Sequence, residues 1–211
     1  KGYRFFSVIN TRRVGAAPDY NCSKFSDSLK VLCESNQKGI TDIDYAVRYT
    51  QQNKSFDFGF LGASEADEQF SKGKSFYSIR ARKNNDNYSI GYLGTYTDRP
   101  ILDRNADVHS LDLVYRPSNK LRIDTIFITS KIDQGIGDIN KSGDAFRFRL
   151  VASPRKGRWH DVGIFFFDED TDINDMGYQI TNNWLFAGNQ NGLKFSDFDE
   201  SSIFLSQEYE M

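Results

Sequence analysis

Aspartate and arginine residues recur at alternate positions along several stretches of this 211-residue chain. The positions between them are largely apolar, so the charged residues would share one side of any strand formed there. Charges arranged in this way either line a polar channel wall and select solutes, or pair across neighbouring strands and stiffen the sheet. The pattern leaves both interpretations open. The candidates for a charged lining are Asp42, Asp44, Arg48, Asp57, Arg80, Arg82, Asp112, Arg116, Arg122, Asp124, Arg147 and Arg149.

A second candidate site is an acidic segment in which Asp168, Asp170 and Asp172 have the alternate spacing of oxygen ligands for Ca²⁺. Ile173 stands where an EF-hand loop needs glycine, and Gln179 stands where it needs glutamate. A solvated loop is therefore the favoured interpretation, with a weak calcium site as the alternative. No cofactor is expected, and the sequence lacks the short motifs of serine hydrolases, zinc proteases and phosphate-binding loops.

Cys22 and Cys33 lie within one long predicted loop, 13–39, between two predicted strands. A disulfide that closes part of this loop is the favoured interpretation and would indicate an oxidising compartment. The alternative is a pair of free thiols in a reducing compartment. A zinc site is not expected, because no histidine or further cysteine lies nearby in the sequence.

The elements that must position these residues are predicted from strict alternation of residue types. In 75–96, two alternating runs flank a polar turn at 83–87, and this pattern predicts a β-hairpin. The same unit recurs along the chain. Further strands are predicted at 3–12, 41–49, 56–61, 110–116, 121–127, 146–152, 159–167 and 178–186, and the tail beyond 189 is expected to begin another hairpin.

Short turns alternate with longer loops, which are predicted at 13–39, 62–74, 97–107, 130–144 and 168–177. The apolar side of the predicted strands carries no charge, and tyrosine and tryptophan gather near strand ends. Strands of about nine residues with these features predict an all-β, antiparallel up-and-down meander that forms a transmembrane β-barrel or part of one. The alternative is a soluble sandwich or barrel whose apolar side is the core. The charged fraction of 27% favours that alternative slightly.

Composition limits the classes of partner. The formal net charge of −2 gives no basic footprint, so no nucleic-acid partner is expected. No run of about 18 apolar residues occurs, so no transmembrane helix is predicted. The chain begins at Lys1 rather than at methionine, and processing or truncation is the expected reason.

Short segments spread along nearly the whole chain resemble the DUF5916 family. They are similar to its F-x-S-R-R-I-G opening, its T-x-I-x-x-A-x-K … G-x-L-x-A hairpin and its G-x-A and F-N-x-x-x-G-F segments. Val14 replaces the usual isoleucine and Tyr178 the usual phenylalanine. The segments that carry the resemblance are FF at 5–6, TRRVG at 11–15, ITDI at 40–43, FGFL at 58–61, GDA at 143–145 and NDMGY at 174–178.

The resemblance implies an outer-membrane-type β-barrel of Gram-negative bacteria. Residues 1–211 are then expected to form a single β-barrel region that is a portion of a longer barrel. The family's carbohydrate-binding module, similar to family 9, is not expected within this range. The expected function is transport or channel activity through a mixed-charge lumen. The alternatives are a surface protein that binds a glycan or a partner, and a barrel-embedded hydrolase, for which no catalytic residue is singled out. Expected partners are the lipid bilayer, a carbohydrate or other solute, and other outer-membrane proteins.

Overall fold

The computed structural model describes residues 6–135, 137, 139–155, 157–194 and 202–210, the last of these ranges as backbone. Most of them lie in strands, consistent with the abundance of aromatic and β-branched residues. The elements are β1 (Phe6–Ser7), α1 (Asp27–Ser35), β2 (Ile43–Gln52), β3 (Phe56–Glu65), β4 (Ser75–Asn84), β5 (Tyr88–Arg99), β6 (Arg104–Ser118), β7 (Leu121–Gln134), β8 (Ile139–Arg155), β9 (Arg158–Phe167), β10 (Tyr178–Gln179), β11 (Trp184–Lys194) and β12 (Ser202–Glu210), with short 3-10 helices at Thr11–Arg13, Cys22–Lys24 and Pro100–Leu102.

One ten-stranded antiparallel sheet dominates the fold. Its strands follow one another in chain order from β2 to β12, except that β10 leaves the sheet and pairs with β1 in a separate two-stranded ribbon. This arrangement confirms the predicted all-β, antiparallel up-and-down meander. The order is linear, with β2 and β12 at its edges, so the sheet formed by the described strands is not closed into a barrel.

Successive connections lie at opposite ends of the sheet. The turn end carries the tight connections at 53–55, 85–87 and 119–120, with a further short turn between β8 and β9. The loop end carries the longer connections 66–74 and 168–183, together with the N-terminal part of the chain. The disulfide loop therefore enters the sheet at the loop end.

Two of the predicted long loops are wrong. Most of the described residues in 97–107 and 130–144 belong to strands, because β6 begins at Arg104 and β8 at Ile139. Polar residues in these stretches suggested loops, but they continue the ladders to β5 and β7. The strands are therefore longer than the alternation of apolar residues indicated.

Other boundaries also differ from the predictions. The predicted strand 3–12 is wrong beyond Ser7, where the chain turns into the 3-10 helix Thr11–Arg13, and residues 3–5 lie outside the described residues. The predicted strand 178–186 divides into β10 and β11. Sequence analysis missed α1, although Leu29 and Cys33 have the four-residue spacing typical of one helical face.

The register places alternate residues of each strand on two unlike faces. The apolar face is defined by Tyr92, Leu111, Phe127, Phe146 and Phe166, which lie opposite one another in consecutive strand pairs from β5 to β9. Its large side chains are open to the surroundings rather than covered by another layer. Those that are more than a third exposed include Tyr45, Val47, Tyr49, Phe60, Tyr77, Ile79, Ile90, Leu111, Leu113, Tyr115, Phe127, Ile164 and Phe166.

Charges on the apolar face lie at its margins. Lys83 pairs with Phe56 and Ile90 near the turn end, so the expectation that this side carries no charge is wrong there. Toward the loop end, Asp107 lies opposite Lys131. His109 and Asp144 lie one row further in, both opposite Thr129, and between this row and Lys83 the face is a band of aromatic, aliphatic and small polar side chains.

Candidate functional site

The opposite side of the sheet, which we call the charged face, carries most of the predicted charged lining. Arg82, Gly91, Asp112, Ile126 and Arg147 lie opposite one another in successive strand pairs from β4 to β8. The next row toward the turn end includes Asp124 opposite Arg149, and Arg122 follows two residues earlier on β7. The register therefore brings these predicted residues onto one surface.

Three of the predicted arginines on this face bind aspartates. Arg80 on β4 reaches across β5 to Asp112 on β6, with Nη2 donating to Oδ1 at 3.0 Å and Nη1 donating to Oδ2. Gly91 lies between them on β5, and a Cβ there would be 2.5 Å from Arg80 Nη2 and 2.8 Å from Asp112 Oδ2. Sequence reasoning missed Gly91, whose lack of a side chain leaves room for this ion pair.

The other two pairs lie nearer the turn end. Arg122 Nε donates to Asp124 Oδ2 at 2.8 Å, two residues along the same strand. Arg149 Nε on β8 donates to Asp161 Oδ1 on β9 at 2.9 Å. Asp161 was not among the predicted residues, because its strand was the least regular in the sequence pattern. Its position opposite Val151 places it on the charged face.

The other predicted arginines of the charged face have no carboxylate partner within the described ranges. Arg82 donates from Nη2 to Ser89 Oγ at 2.7 Å, and its buried Nε has no hydrogen-bond partner there. Arg147 lies over the ring of Phe6, with Cζ 5.5 Å from the ring centroid, and its buried Nε also has no partner there. Arg48 and Arg116 are exposed. Pairing on this face is therefore incomplete.

The remaining predicted residues lie at the border of the face. Asp57 Oδ2 accepts a hydrogen bond of 2.8 Å from Asn84 Nδ2. Asp42 precedes β2, and its carbonyl oxygen accepts the amide of Ala66. Asp44 lies where the register of β2 against β3 is irregular, and it is exposed. These aspartates do not join the arginine pairs.

At the loop end, the charged face is covered by what we call the cap, formed by residues 6–19 and 168–183. Val8 and Ile173 of the cap pack on Val108, Ile128 and other buried residues of the sheet. The cap's two parts also bind each other, since the amide of Asn10 donates to the carbonyl of Met176 at 2.6 Å. The main apolar core thus lies between cap and sheet.

Buried ion pairs fasten the cap to the sheet. Arg99, the last residue of β5, binds Asp19 and Asp175 with closest nitrogen–oxygen distances of 2.6 and 2.8 Å. Arg104, the first residue of β6, binds Asp172 and Asp175 at 2.8 and 2.6 Å. The Asp175 side chain is only 3% exposed. Both arginines flank one tight turn, so a single strand connection supplies both cations.

The environment of Asp175 has an electrostatic consequence. Burial alone would raise the pKa of Asp175, but hydrogen bonds from Arg104 and Arg99 outweigh burial and hold the pKa below its ordinary value. The carboxylate is therefore ionised at neutral pH. Sequence reasoning missed this cluster, because the acidic segment was interpreted as solvated and its cationic partners are distant in sequence.

Two of the three calcium candidate residues are directed to protein cations. Asp170 binds Lys141 at 3.1 Å and Asp172 binds Arg104, while the amide of Asp168 donates to the carbonyl of Asp144. Among the described residues, no group of three or more histidine, cysteine, aspartate or glutamate side chains is arranged to hold a metal ion.

A cleft of about 280 Å³ borders the same loop. Its lining includes Arg104, Lys141, Asp170 and Gln179. Gln179 Nε2 donates to the carbonyl oxygens of Thr171 and Thr181, which leaves its buried Oε1 without a donor within the described residues. The cleft can therefore accommodate a small polar group.

The predicted disulfide between Cys22 and Cys33 is present, with a Cα–Cα distance of 5.7 Å. It ties α1 to the preceding 3-10 helix, and the two cysteines pack with Phe70 in a small separate cluster. The disulfide thus organises the long loop before β2. It does not belong to the charged face.

No helix within the described ranges has both the length and the hydropathy needed to span a membrane. Comparisons with family models, curated proteins and solved structures return no match, so the site is interpreted from the residues of this chain alone.

Proposed function

We propose that this sheet is part of the wall of an outer-membrane β-barrel of transport or channel class in a Gram-negative bacterium. The observation that carries the proposal is the broad, uncovered apolar face. Leu111 is 56% exposed, Tyr49 is 53% exposed and Phe127 is 44% exposed, although they belong to different strands. Soluble monomers rarely expose contiguous apolar patches beyond a few hundred Å². Lipid would cover such a face.

The distribution of charge supports this orientation. Arg or Lys at the midplane of a bilayer costs about 2–4 kcal/mol on the lipid side of a barrel and far less near the interfaces. Lys83 at the turn end and Lys131 toward the loop end lie at the two margins of the apolar face. The disulfide also agrees with an oxidising compartment outside the cytoplasm.

Closure is a requirement of the proposal. Backbone donors and acceptors in lipid must all be paired, so a membrane sheet cannot keep open edges. Strands β2 and β12 each have one neighbour in the sheet. We therefore expect further strands beside them in the membrane, which fits a barrel larger than these ten strands.

The charged face would then line the lumen. Near the turn end this lining carries ion pairs and exposed arginines, whereas near the loop end the cap covers the face. Passage along the lumen therefore requires displacement of at least part of the cap. Transport would be passive, with the cap acting as a gate.

The membrane proposal is tested by a pair of lysine substitutions. Phe127→Lys places a cation in the middle of the apolar face, and Val151→Lys places the same cation on the charged face. In a membrane barrel only Phe127→Lys should impair insertion, by about 2–4 kcal/mol. The measurement is detergent-dependent extraction of the full-length protein and faster gel migration before heating than after it.

Conductance across a planar bilayer then tests the transport class. A heat-modifiable, detergent-extracted protein that conducts supports the whole proposal, whereas the same protein without conductance supports the barrel alone. A protein that is monodisperse in plain buffer, with Phe127→Lys as soluble as Val151→Lys, would overturn the membrane assignment.

The second candidate function is a surface protein that binds a glycan. The cleft beside the 168–183 loop favours it, because Gln179 Oε1 lacks a donor that a sugar hydroxyl could supply. Gln179→Leu removes this acceptor. Loss of binding on a glycan array by Gln179→Leu, with the cap intact, would support this function, and unchanged binding would exclude the cleft.

A further inference from the structure

We infer that the charged face near the turn end is a binding surface for anionic groups, the carboxylate, phosphate or sulfate of a solute. This inference deepens the proposed function by naming a substrate class for the same lining. The sequence left open the alternative that arginine and aspartate pair completely, which would leave little net electrostatic field. The structure shows that pairing is one-sided within β4–β9.

The arginines of this surface outnumber its aspartates. Asp112, Asp124 and Asp161 each bind an arginine, whereas Asp57 on β3 lies opposite Arg82 in the register and accepts a hydrogen bond from Asn84 instead. Arg82 and Arg147 lie on the same face without a carboxylate partner in the described part of the chain. Opposite charges at contact distance largely cancel at longer range, so the unpaired arginines dominate the field above the surface.

The ion pairs themselves present their cationic side. Arg122 is 48% exposed and its partner Asp124 is 9% exposed. Arg149 is 48% exposed and Asp161 is 19% exposed. The aspartates thus lie beneath the guanidinium groups. A solute that approaches this face therefore meets planar donors, which suit bidentate binding of carboxylate or phosphate oxygens.

Arg147 is the central residue of this surface. On one side of Arg147 along β8 lies Arg149, which is two residues away on the same face. On the other side lies the cap, and the ring of Phe6 from the cap packs on Arg147. Its buried Nε has no acceptor in the described residues, so its donor capacity is unmet. The buried carboxylate of the cap binds other cations, since Asp175 pairs with Arg99 and Arg104.

The protein contains its own reporter for this surface. It has two tryptophans, of which Trp159 lies on the charged face at the turn end of β9 and Trp184 packs against the core at the loop end. In a Trp184→Phe background, quenching of Trp159 fluorescence by iodide, caesium and neutral acrylamide measures the local concentrations of an anion, a cation and an uncharged probe. At constant ionic strength, we expect iodide to quench more strongly than caesium after normalisation to acrylamide.

The test compares two matched double variants. Arg82→Gln with Arg147→Gln removes two cations from the charged face, and Lys83→Gln with Lys131→Gln removes two from the apolar face. The first should lower the iodide-to-caesium quenching ratio about twofold or more, and the second should leave it unchanged. Arg82→Lys with Arg147→Lys keeps the charge and should retain the ratio, which separates charge from folding.

Binding is then measured directly with inorganic phosphate and sulfate as probes. The wild type should bind them in a manner that weakens with added salt, and the double glutamine variant should lose most of that binding. Equal quenching by iodide and caesium, or an equal drop in both double variants, would overturn the inference. The quenching measurement does not depend on conduction. A preference for anions without conductance would therefore reject channel activity but support the anion-binding surface.

Discussion

The two halves of the charged face belong to the same strands and yet have opposite character. On β7, Ile128 and Ile132 at the loop end are fully buried, whereas Arg122 toward the turn end is 48% exposed. On β8, Ala145 is buried beside the cap and Arg149 is open. Alternation assigns all of them to one face. What differs is the covering layer, since the cap replaces water at one end and leaves the other end polar.

The largest expected effect comes from removing a cation beneath the cap. Arg104→Ala would leave Asp172 without this partner and Asp175 with Arg99 alone, in a buried site. Breaking a buried pair costs about 3–5 kcal/mol, because the remaining charge is not solvated. The measurement is the free energy of unfolding in urea with detergent micelles.

Its counterpart at the turn end is Arg149→Ala, in which the partner Asp161 remains partly solvated. Exposed pairs contribute about 0–1 kcal/mol, so this loss should be small. Equal losses for Arg104→Ala and Arg149→Ala would mean that the cap does not shield its ion pairs from solvent.

The apolar contacts should show the same contrast, with a slightly smaller effect. Ile128→Ala removes a fully buried side chain beneath the cap and should cost about 3 kcal/mol through lost burial and the resulting cavity. Val114→Ala, on the charged face nearer the turn end, should cost less than about 1 kcal/mol. Comparable unfolding free energies for the two variants would argue against a core between cap and sheet.

Acidification should weaken the attachment of the cap when Asp175 becomes protonated. The folded pKa of Asp175 lies below its ordinary value near 4, so its contribution to stability is complete above about pH 4. That contribution is lost as the pH falls through the folded pKa. Trp184 packs against the core beneath the cap, and its emission should shift over this acidic range.

Asp175→Asn provides the control, because its side chain cannot ionise. The variant should be less stable at neutral pH and should lack the acid-dependent component. If Asp175→Asn shows the same acid-dependent transition as the wild type, the transition arises from the titration of another group.

The smallest effect on the sheet should follow reduction of the disulfide. Cys22 and Cys33 close a loop outside the contact between cap and sheet, with Phe70 as a neighbour. This bond closes a loop with a sequence separation of 11 residues, so its loss should cost about 3 kcal/mol, confined to α1 and the preceding segment. Proteolysis in the presence of reductant should cleave 22–40 selectively and spare the strands. Without reductant, the same segment should be cleaved more slowly.

Sequence alone predicted the strands in which one side is apolar and the other side polar along the length of the strand. The hairpin β4–β5 and the pairs β2–β3 and β6–β7 follow from period-two alternation, because each side chain's face depends only on its neighbours in the strand. The charged face followed from the same rule. The ends of β6 and β8 did not, since Asp107 and Asp144 resembled loop residues although they continue the ladders.

The cap, the buried ion cluster and the incomplete pairing of arginines were decided by tertiary structure. Arg99 and Asp19 are 80 residues apart, and Arg104 and Asp175 are 71 apart. No local pattern identifies such partners, because they meet only after the sheet has brought strand ends and loop together. The sequence by itself determined a meander with one apolar and one charged face. Only the folded chain determined which part of the charged face is buried and which charges remain unpaired, because both depend on long-range packing and desolvation.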